Sequence, residues 1–175
     1  LCWHDIGKFA HSFQQLYRHE ALNIFNEPTR HYEKIAHTTL GYMLWNSWLS
    51  ECPELFPPSS LSVRKSKRVM ALWMPVTTGH HGRPPEAIQE LDHFRQQDKD
   101  AARDFLLRIK ALFPLITLPE AWDEDEGIDQ FQQLSWFISA AVVLADWTGS
   151  ASRYFPRTAE KMPVDTYWQQ ALAKA

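Results

Sequence analysis

Apolar residues recur at intervals of three to five positions along much of the chain, which is the spacing of one face of an α-helix. This spacing predicts a first helix over residues 6–25 and a second over residues 30–49, separated by the turn-forming sequence NEPT. After the proline-rich loop CPELFPPSS, a third helix is predicted to end in a turn at residues 79–82.

The second half of the chain predicts two further helices. Residues 100–113 form an amphipathic pattern that Pro114 closes, and residues 128–147 form the longest and most apolar run. No alternating strand pattern of any length and no internal repeat appear in the sequence. The fold class is therefore predicted to be all-α.

The composition limits the kind of protein that the chain encodes. A chain of 175 residues with 45% hydrophobic residues is large enough to bury the core of one domain. Its net charge of -3 lacks the basic balance of most nucleic-acid-binding proteins, so attraction to a polyanion requires a local basic patch, bound cations or a partner. Two cysteines, no signal-peptide pattern and no membrane-spanning apolar run predict a cytoplasmic protein without a membrane partner.

The chain has one dense basic run, at the start of the third predicted helix. It consists of Arg64, Lys65, Lys67 and Arg68. Two interpretations stay open from the sequence, since such a run either contacts the phosphates of DNA or forms a solvated helix start.

The acidic sequence WDEDEGID, residues 122–129, has some features of a calcium loop. Glycine stands at the fifth position from Asp123 rather than the sixth, and the closing glutamate is absent. The segment is therefore predicted to be a solvated acidic loop that leads into a helix N-terminus.

Residues of metal-ligating type occur in four separate helical segments. The first segment offers the adjacent pair His4 and Asp5, the second offers His37 on an apolar face, and the fourth offers Asp146 within the most hydrophobic helix. Each has an ordinary alternative. The pair His4 and Asp5 could be a capping or surface pair, His37 a core histidine, and Asp146 a cap or an ion-pair partner. Together with the glycine-flanked pair His80 and His81, they match the way helical bundles build two-metal sites.

Four motifs in this order carry a resemblance to a known family. They are HDIGKF, HTTLGYML, GHHG and ADWTGS, and the likeness extends over nearly the whole chain. The sequence resembles the HD-type nuclease domain of the CRISPR-associated nuclease-helicase that type I systems recruit to the Cascade complex. This resemblance implies an HD-domain helical bundle with a dinuclear metal site in its centre. Residues 1–175 are expected to form one HD nuclease domain, truncated at its N-terminal end and without the helicase domain.

The resemblance also implies a role for each motif residue. Lys8 is expected beside the scissile phosphate. The family pattern includes a further histidine upstream of the HD pair, and this sequence begins three residues before His4, so the first metal site is either truncated or one ligand short. His11 is predicted to be a surface residue rather than a substitute ligand. The implied ligands are His4 and Asp146 for the first metal, His37, His80 and His81 for the second, and Asp5 as the bridge between them.

The function implied by the resemblance is metal-dependent hydrolysis of phosphodiester bonds in single-stranded DNA during type I CRISPR interference. Histidine-rich ligation favours two transition-metal ions, manganese, nickel, cobalt or iron, over magnesium. The expected partners are single-stranded DNA, a helicase domain of the same protein and Cascade. Two alternatives stay open: an HD phosphohydrolase that acts on small nucleotides, and an inactive HD module that docks to Cascade.

Overall fold

The structure is a computed structural model that describes residues 3–15, 35–86, 93–155 and 162–173. Within these ranges the regular elements are helices and there is no strand, which confirms the all-α prediction. Short 3₁₀ helices lie at Ile6–Phe9, Leu49–Glu51, Pro53–Leu55 and Glu120–Asp123. The α-helices are α1 (His11–Gln14), α2 (His37–Ser47), α3 (Val63–Thr78), α4 (Gln96–Leu112), α5 (Asp125–Ser150) and α6 (Val164–Leu172).

Helix α2 lies at the centre of the fold. Its residues Leu40, Leu44 and Trp45 are almost completely buried, and they belong to one continuous apolar core. Val69 and Met74 of α3 are buried in the same core. Burial on several sides fixes the place of α2 in the fold, and His37 is the residue at its N-terminal end.

The 3₁₀ helix at Ile6–Phe9 packs against α2 through backbone atoms. A Cβ atom added to Gly7 would lie 1.9 Å from the carbonyl oxygen of His37 and 2.4 Å from the backbone nitrogen of Gly41. A Cβ atom on Gly41 would in turn lie 3.1 Å from the backbone nitrogen of Gly7. Glycine at position 7 therefore lets the segment that carries His4 and Asp5 approach the start of α2.

The first predicted helix is interrupted in the structure. The 3₁₀ helix ends at Phe9, Ala10 is extended with a ψ of 132°, and α1 begins at His11. The backbone nitrogen of His11 donates a hydrogen bond to the carbonyl oxygen of His93, which anchors the start of α1 to another part of the chain. The predicted surface position of His11 was wrong, because this side chain is buried.

The other predicted helices are present with shifted ends. Helix α4 begins four residues before the predicted start at position 100, and Asp98 accepts a hydrogen bond from the backbone nitrogen of Arg95 at its first turn. Helix α5 extends the predicted 128–147 run by three residues at each end. The predicted 30–49 helix corresponds to α2, and the part of it over residues 30–34 lies outside the described residues. In the described part of the chain, no helix combines the length and apolar character needed to cross a membrane.

The prediction of a solvated acidic loop at residues 122–129 was wrong for Asp123, the second residue of this segment. Asp123 is buried, and its carboxylate oxygens lie 2.6 Å from Lys65 Nζ and 2.8 Å from Arg68 Nη2. These two cations come from the first turns of α3, so the ion pairs join the start of α3 to the segment just before α5. The sequence pattern marked both charged runs but did not show that they face each other.

Replacing Gly7 with alanine is expected to lower the free energy of unfolding by about 1–3 kcal/mol, because the new Cβ meets rigid backbone atoms of α2. Chemical denaturation followed by circular dichroism measures this change. Gly149→Ala is the matched control, since a Cβ at that position in α5 meets no atom within 4 Å. Equal stability of the two variants would contradict the packing described above.

The Asp123→Asn substitution is expected to lower the melting temperature at pH 7. Contact with Lys65, together with Arg68, outweighs the opposing effect of burial and holds the pKa of Asp123 below its usual range. An aspartate with a lowered pKa in the folded state stabilises the protein above the unfolded pKa of about 3.9 and loses this contribution as the pH falls further. The difference from the unsubstituted protein should therefore narrow below about pH 4.

The control for this experiment is Asp125→Asn, which changes an exposed acidic residue two positions away. Thermal melts of both variants between pH 3 and pH 7 separate the buried ion pair from a general charge effect. A difference that persists unchanged at low pH would show that the carboxylate charge of Asp123 is not its source.

Candidate metal centre

Four segments bring the candidate ligands together at one end of the bundle. His4 and Asp5 precede the 3₁₀ helix at Ile6–Phe9, and His37 is the first residue of α2. His80 and His81 follow the C-terminal end of α3, where Gly82 has a φ of +80° that turns the chain. Asp146 lies in the last turns of α5. The structure thus places all six sequence-predicted ligands in one cluster.

Asp5 lies in the middle of this cluster, and its two carboxylate oxygens face different groups of side chains. Oδ2 lies 3.2 Å from His4 Nε2 and 2.5 Å from Lys8 Nζ. Oδ1 lies 3.2 Å from His37 Nε2 and 3.7 Å from His80 Nε2. One oxygen of the carboxylate therefore faces His4 and Lys8, and the other faces His37 and His80.

Three histidines form the group on the Oδ1 side. The Nε2 atom of His37 lies 3.2 Å from His80 Nε2 and 3.3 Å from His81 Nε2. Ligands placed around one tetrahedral ion at about 2.0–2.1 Å are separated by about 3.3–3.4 Å. The spacing of these nitrogens therefore fits a single divalent metal ion, and His37, His80 and His81 together could hold one.

The group on the Oδ2 side combines histidine and carboxylate donors. His4 Nε2 lies 3.4 Å from Asp146 Oδ1, which joins the first segment to α5. His4, Asp5 and His80 have donor atoms close enough to hold a metal ion, so His80 belongs to both groups. Ser150 donates a hydrogen bond of 3.3 Å to Asp146 Oδ1 and orients that carboxylate.

Ser150 and the shared position of His80 were not identified from the sequence. The spacing of four residues between Asp146 and Ser150 on one helix face was the available signal for the serine. No sequence signal distinguishes His80 from its neighbour His81, because the orientation of two adjacent side chains depends on the turn that follows α3. In the structure His80 is buried and His81 is exposed.

The environment favours the protonation states that metal ligands require. Burial raises the pKa of Asp5 and is the largest single influence, but contacts from His37, His4 and Lys8 together outweigh it and hold this pKa well below its usual range. Burial, reinforced by His4 and His81, lowers the pKa of His80 to about 4 against the opposing effect of Asp5. At neutral pH, Asp5 is therefore ionised and His80 is neutral, as metal binding demands.

One buried atom of the cluster has too few partners among the protein groups. Oδ1 of Asp5 is inaccessible to water and makes no contact with hydrogen-bond geometry, although His37 Nε2 lies 3.2 Å away. A buried carboxylate oxygen without a donor is costly. A cation between Oδ1 and the histidine nitrogens would satisfy it, so the residues present fit a metal centre.

The predicted DNA-contacting run lies elsewhere and is largely engaged within the protein. Lys65 and Arg68 pair with Asp123, and Lys67 pairs with Glu51. Arg64 is exposed at the start of α3. Contact of this run with DNA stays a prediction, and it would have to compete with these intramolecular ion pairs.

Comparisons with known proteins identify one family. A family model described as "Cas3, HD domain" matches residues 1–155. No curated protein and no solved structure matches the chain significantly.

Metal binding is expected to depend on Asp5. Asp5→Asn should weaken Mn²⁺ binding by more than about 10-fold, because even the loss of a residue that only supports a metal ligand costs 10–100-fold in affinity. Isothermal titration of the metal-free protein measures both the affinity and the number of ions. Asp129→Asn, an exposed position in α5, is the matched control, and unchanged binding by Asp5→Asn would contradict the central role of this carboxylate.

Proposed function

The chain belongs to the Cas3 HD-domain family, a family of CRISPR-associated HD nucleases, and on this basis we propose a specific activity. It is a metal-dependent nuclease that hydrolyses phosphodiester bonds in single-stranded DNA during type I CRISPR interference. A helicase domain of the same protein supplies the strand, and Cascade recruits the protein to its target.

The observation that supports this proposal most strongly is the position of the Asp5 carboxylate between two groups of donors. Its Oδ2 faces His4, which lies next to Asp146, and its Oδ1 faces His37 and His80. We assign His4 and Asp146 to one divalent ion and Asp5 to both. The ligands of the second ion are His37, His80 and His81.

Two divalent ions in such a site lower the pKa of a bound water and neutralise charge on a phosphodiester. The protein contributes donors at fixed positions, among which Asp5 is ionised and His80 is neutral at neutral pH. Nitrogen-rich ligation favours manganese, nickel, cobalt or iron over magnesium, which prefers oxygen ligands and retains its waters.

Lys8 is the residue that we place beside the scissile phosphate. Its Nζ lies against Asp5 Oδ2, and its side chain is 43% exposed, so the ammonium group borders both the site and solvent. A cation at this position binds a phosphate oxygen and stabilises the negative charge that develops during hydrolysis. Asp5 holds Lys8 in place before the substrate binds.

An open site suits a polymer better than a small nucleotide. His81 and Lys8 are both accessible from solvent, so a strand can cross the cluster without entering a closed pocket. The apolar cavity of about 320 Å³ between α3 and α4 contains none of the candidate ligands. A cleavage experiment distinguishes this activity from the hydrolysis of small nucleotides and from an inactive docking module. The cytoplasmic location stays a prediction.

The decisive experiment is the degradation of circular single-stranded DNA by this chain. With Mn²⁺ or Ni²⁺ we expect the circles to be cut, and we expect no cutting with EDTA or in Asp5→Asn. Circular DNA has no ends, so its loss reports internal cleavage. Lys8→Ala should lower the cleavage rate by about 100-fold or more, which is typical of losing one charge-stabilising donor.

Asp129→Asn is the control with unchanged cleavage expected. Intact circles with every metal tested, in a folded protein that binds Mn²⁺, would contradict the nuclease proposal and favour the docking module. Release of phosphate from free nucleotides without cutting of the circles would favour the small-nucleotide enzyme.

A further inference from the structure

Helix α5 presents a wide apolar face to solvent. Trp136 is 81% exposed, Phe137 is 77% exposed and Trp147 is 70% exposed. Leu144, between them along the helix, is also exposed. Only a minority of the apolar residues in this helix are buried, among them Phe131 and Val142, which pack toward the rest of the fold.

This face differs from an ordinary solvent-facing helix surface because it lacks charge. No Asp, Glu, Lys or Arg occurs over residues 130–145, although much of this stretch is exposed. A solvated helix face usually carries charged residues, and a continuous apolar face is typical of a binding surface. The lack of charge therefore indicates that this face binds a partner.

The apolar face is continuous with the candidate metal centre. Trp147 directly follows Asp146, whose carboxylate lies 3.4 Å from His4 Nε2. Adjacent Cα atoms are about 3.8 Å apart, so the backbone at Trp147 lies beside a candidate ligand, and its exposed side chain leaves the helix about 100° away from that of Asp146. A strand with a phosphate at the candidate centre would therefore pass close to this position.

A second tryptophan lies on the same side of the helix. Trp136 and Trp147 are eleven residues apart, which is close to three full turns and about 16 Å along the helix axis. At the 3.4 Å spacing of stacked bases, this distance corresponds to about five nucleotides. Exposed Ala140 lies between them on this side and leaves room beside the two rings.

We propose that the face formed by Trp136, Phe137, Leu144 and Trp147 binds the bases of the substrate strand next to the cleavage site, with Trp147 and Trp136 as stacking positions. This inference rests on the proposed nuclease function and adds the surface that positions its substrate. Stacking on aromatic side chains binds single strands of any sequence, because every base has a flat face. In a duplex the bases are paired and stacked inside the helix, so their flat faces are not available to these side chains.

The charges around this face agree with a strand that crosses it. Lys8 lies at the metal centre, and exposed Arg153 follows the end of α5, where its guanidinium lies 5.6 Å from the centre of the Tyr154 ring. The cationic groups therefore lie near the C-terminal end of α5, next to the candidate metal centre. The uncharged part of the face extends away from that centre. This separation of charge and apolar surface matches the backbone and the bases of one strand.

The test measures binding of the full chain to a fluorescent 15-nucleotide thymidine strand in EDTA, so that neither metal binding nor cleavage enters the result. Each of Trp136→Ala and Trp147→Ala should raise the dissociation constant by about 5- to 100-fold. Trp147→Phe should recover part of the affinity, because phenylalanine also stacks. Tyr167→Ala, an exposed aromatic position on α6, is the matched control with unchanged binding expected.

A second strand of the same length without bases separates stacking from effects on the fold. The unsubstituted protein should bind this abasic strand weakly, and the tryptophan variants should bind it equally weakly. Unchanged thymidine-strand binding by both variants would overturn the proposal, and so would an equal loss of affinity for both strands. Variants that keep DNA binding but lose self-association would also overturn it, since the face would then bind protein.

Because binding is measured in EDTA, its outcome is independent of the nuclease experiment. Strand binding that depends on the tryptophans, together with intact circular DNA in the presence of metal, would support the surface and reject the catalytic proposal. Cleavage of the circles, together with unchanged strand binding in both tryptophan variants, would support the catalytic proposal and reject the binding surface.

Discussion

The backbone contact between Gly7 and the start of α2 is the constraint on which the candidate centre depends. No side chain separates the two segments there, since a Cβ on Gly7 would lie 1.9 Å from the carbonyl oxygen of His37. His37 is also the residue whose imidazole faces Asp5. The same close approach therefore fixes the backbone and brings the carboxylate and the imidazole within reach of each other. A longer separation would leave two half-sites that cannot share one aspartate.

The charges around the candidate centre determine the protonation states of Asp5 and His80. A carboxylate that is partly withdrawn from water would ordinarily be difficult to ionise, but its histidine and lysine neighbours more than offset the effect of burial. Burial also disfavours the charged form of His80. There it outweighs the opposing effect of Asp5 and keeps the imidazole neutral. The same environment thus supplies an anionic oxygen and an uncharged nitrogen side by side, which is the combination that transition metals bind well.

Much of the fold and most of the candidate ligands could be predicted from the sequence, because helical spacing and four ordered motifs are local signals. The interruption at Ala10 could not, since it depends on contacts of Gly7 and His11 with distant parts of the chain. The burial of Asp123 was missed for a related reason, because charge runs in a sequence do not show which partners they face. The predicted apolar character of α5 was right, but its large solvent-facing part follows from tertiary packing, which periodicity cannot determine.

Helices α3 and α5 are joined near both of their ends. Close to their starts, Lys65 and Arg68 hold Asp123, while beyond the end of α3 and near the end of α5 lie His80 and Asp146 on the two sides of the Asp5 carboxylate. The relative position of α3 and α5 is therefore set both by these ion pairs and by the packing around the candidate centre. The spacing of the donors thus depends on charged residues at the far end of the same two helices, which take no part in the centre itself.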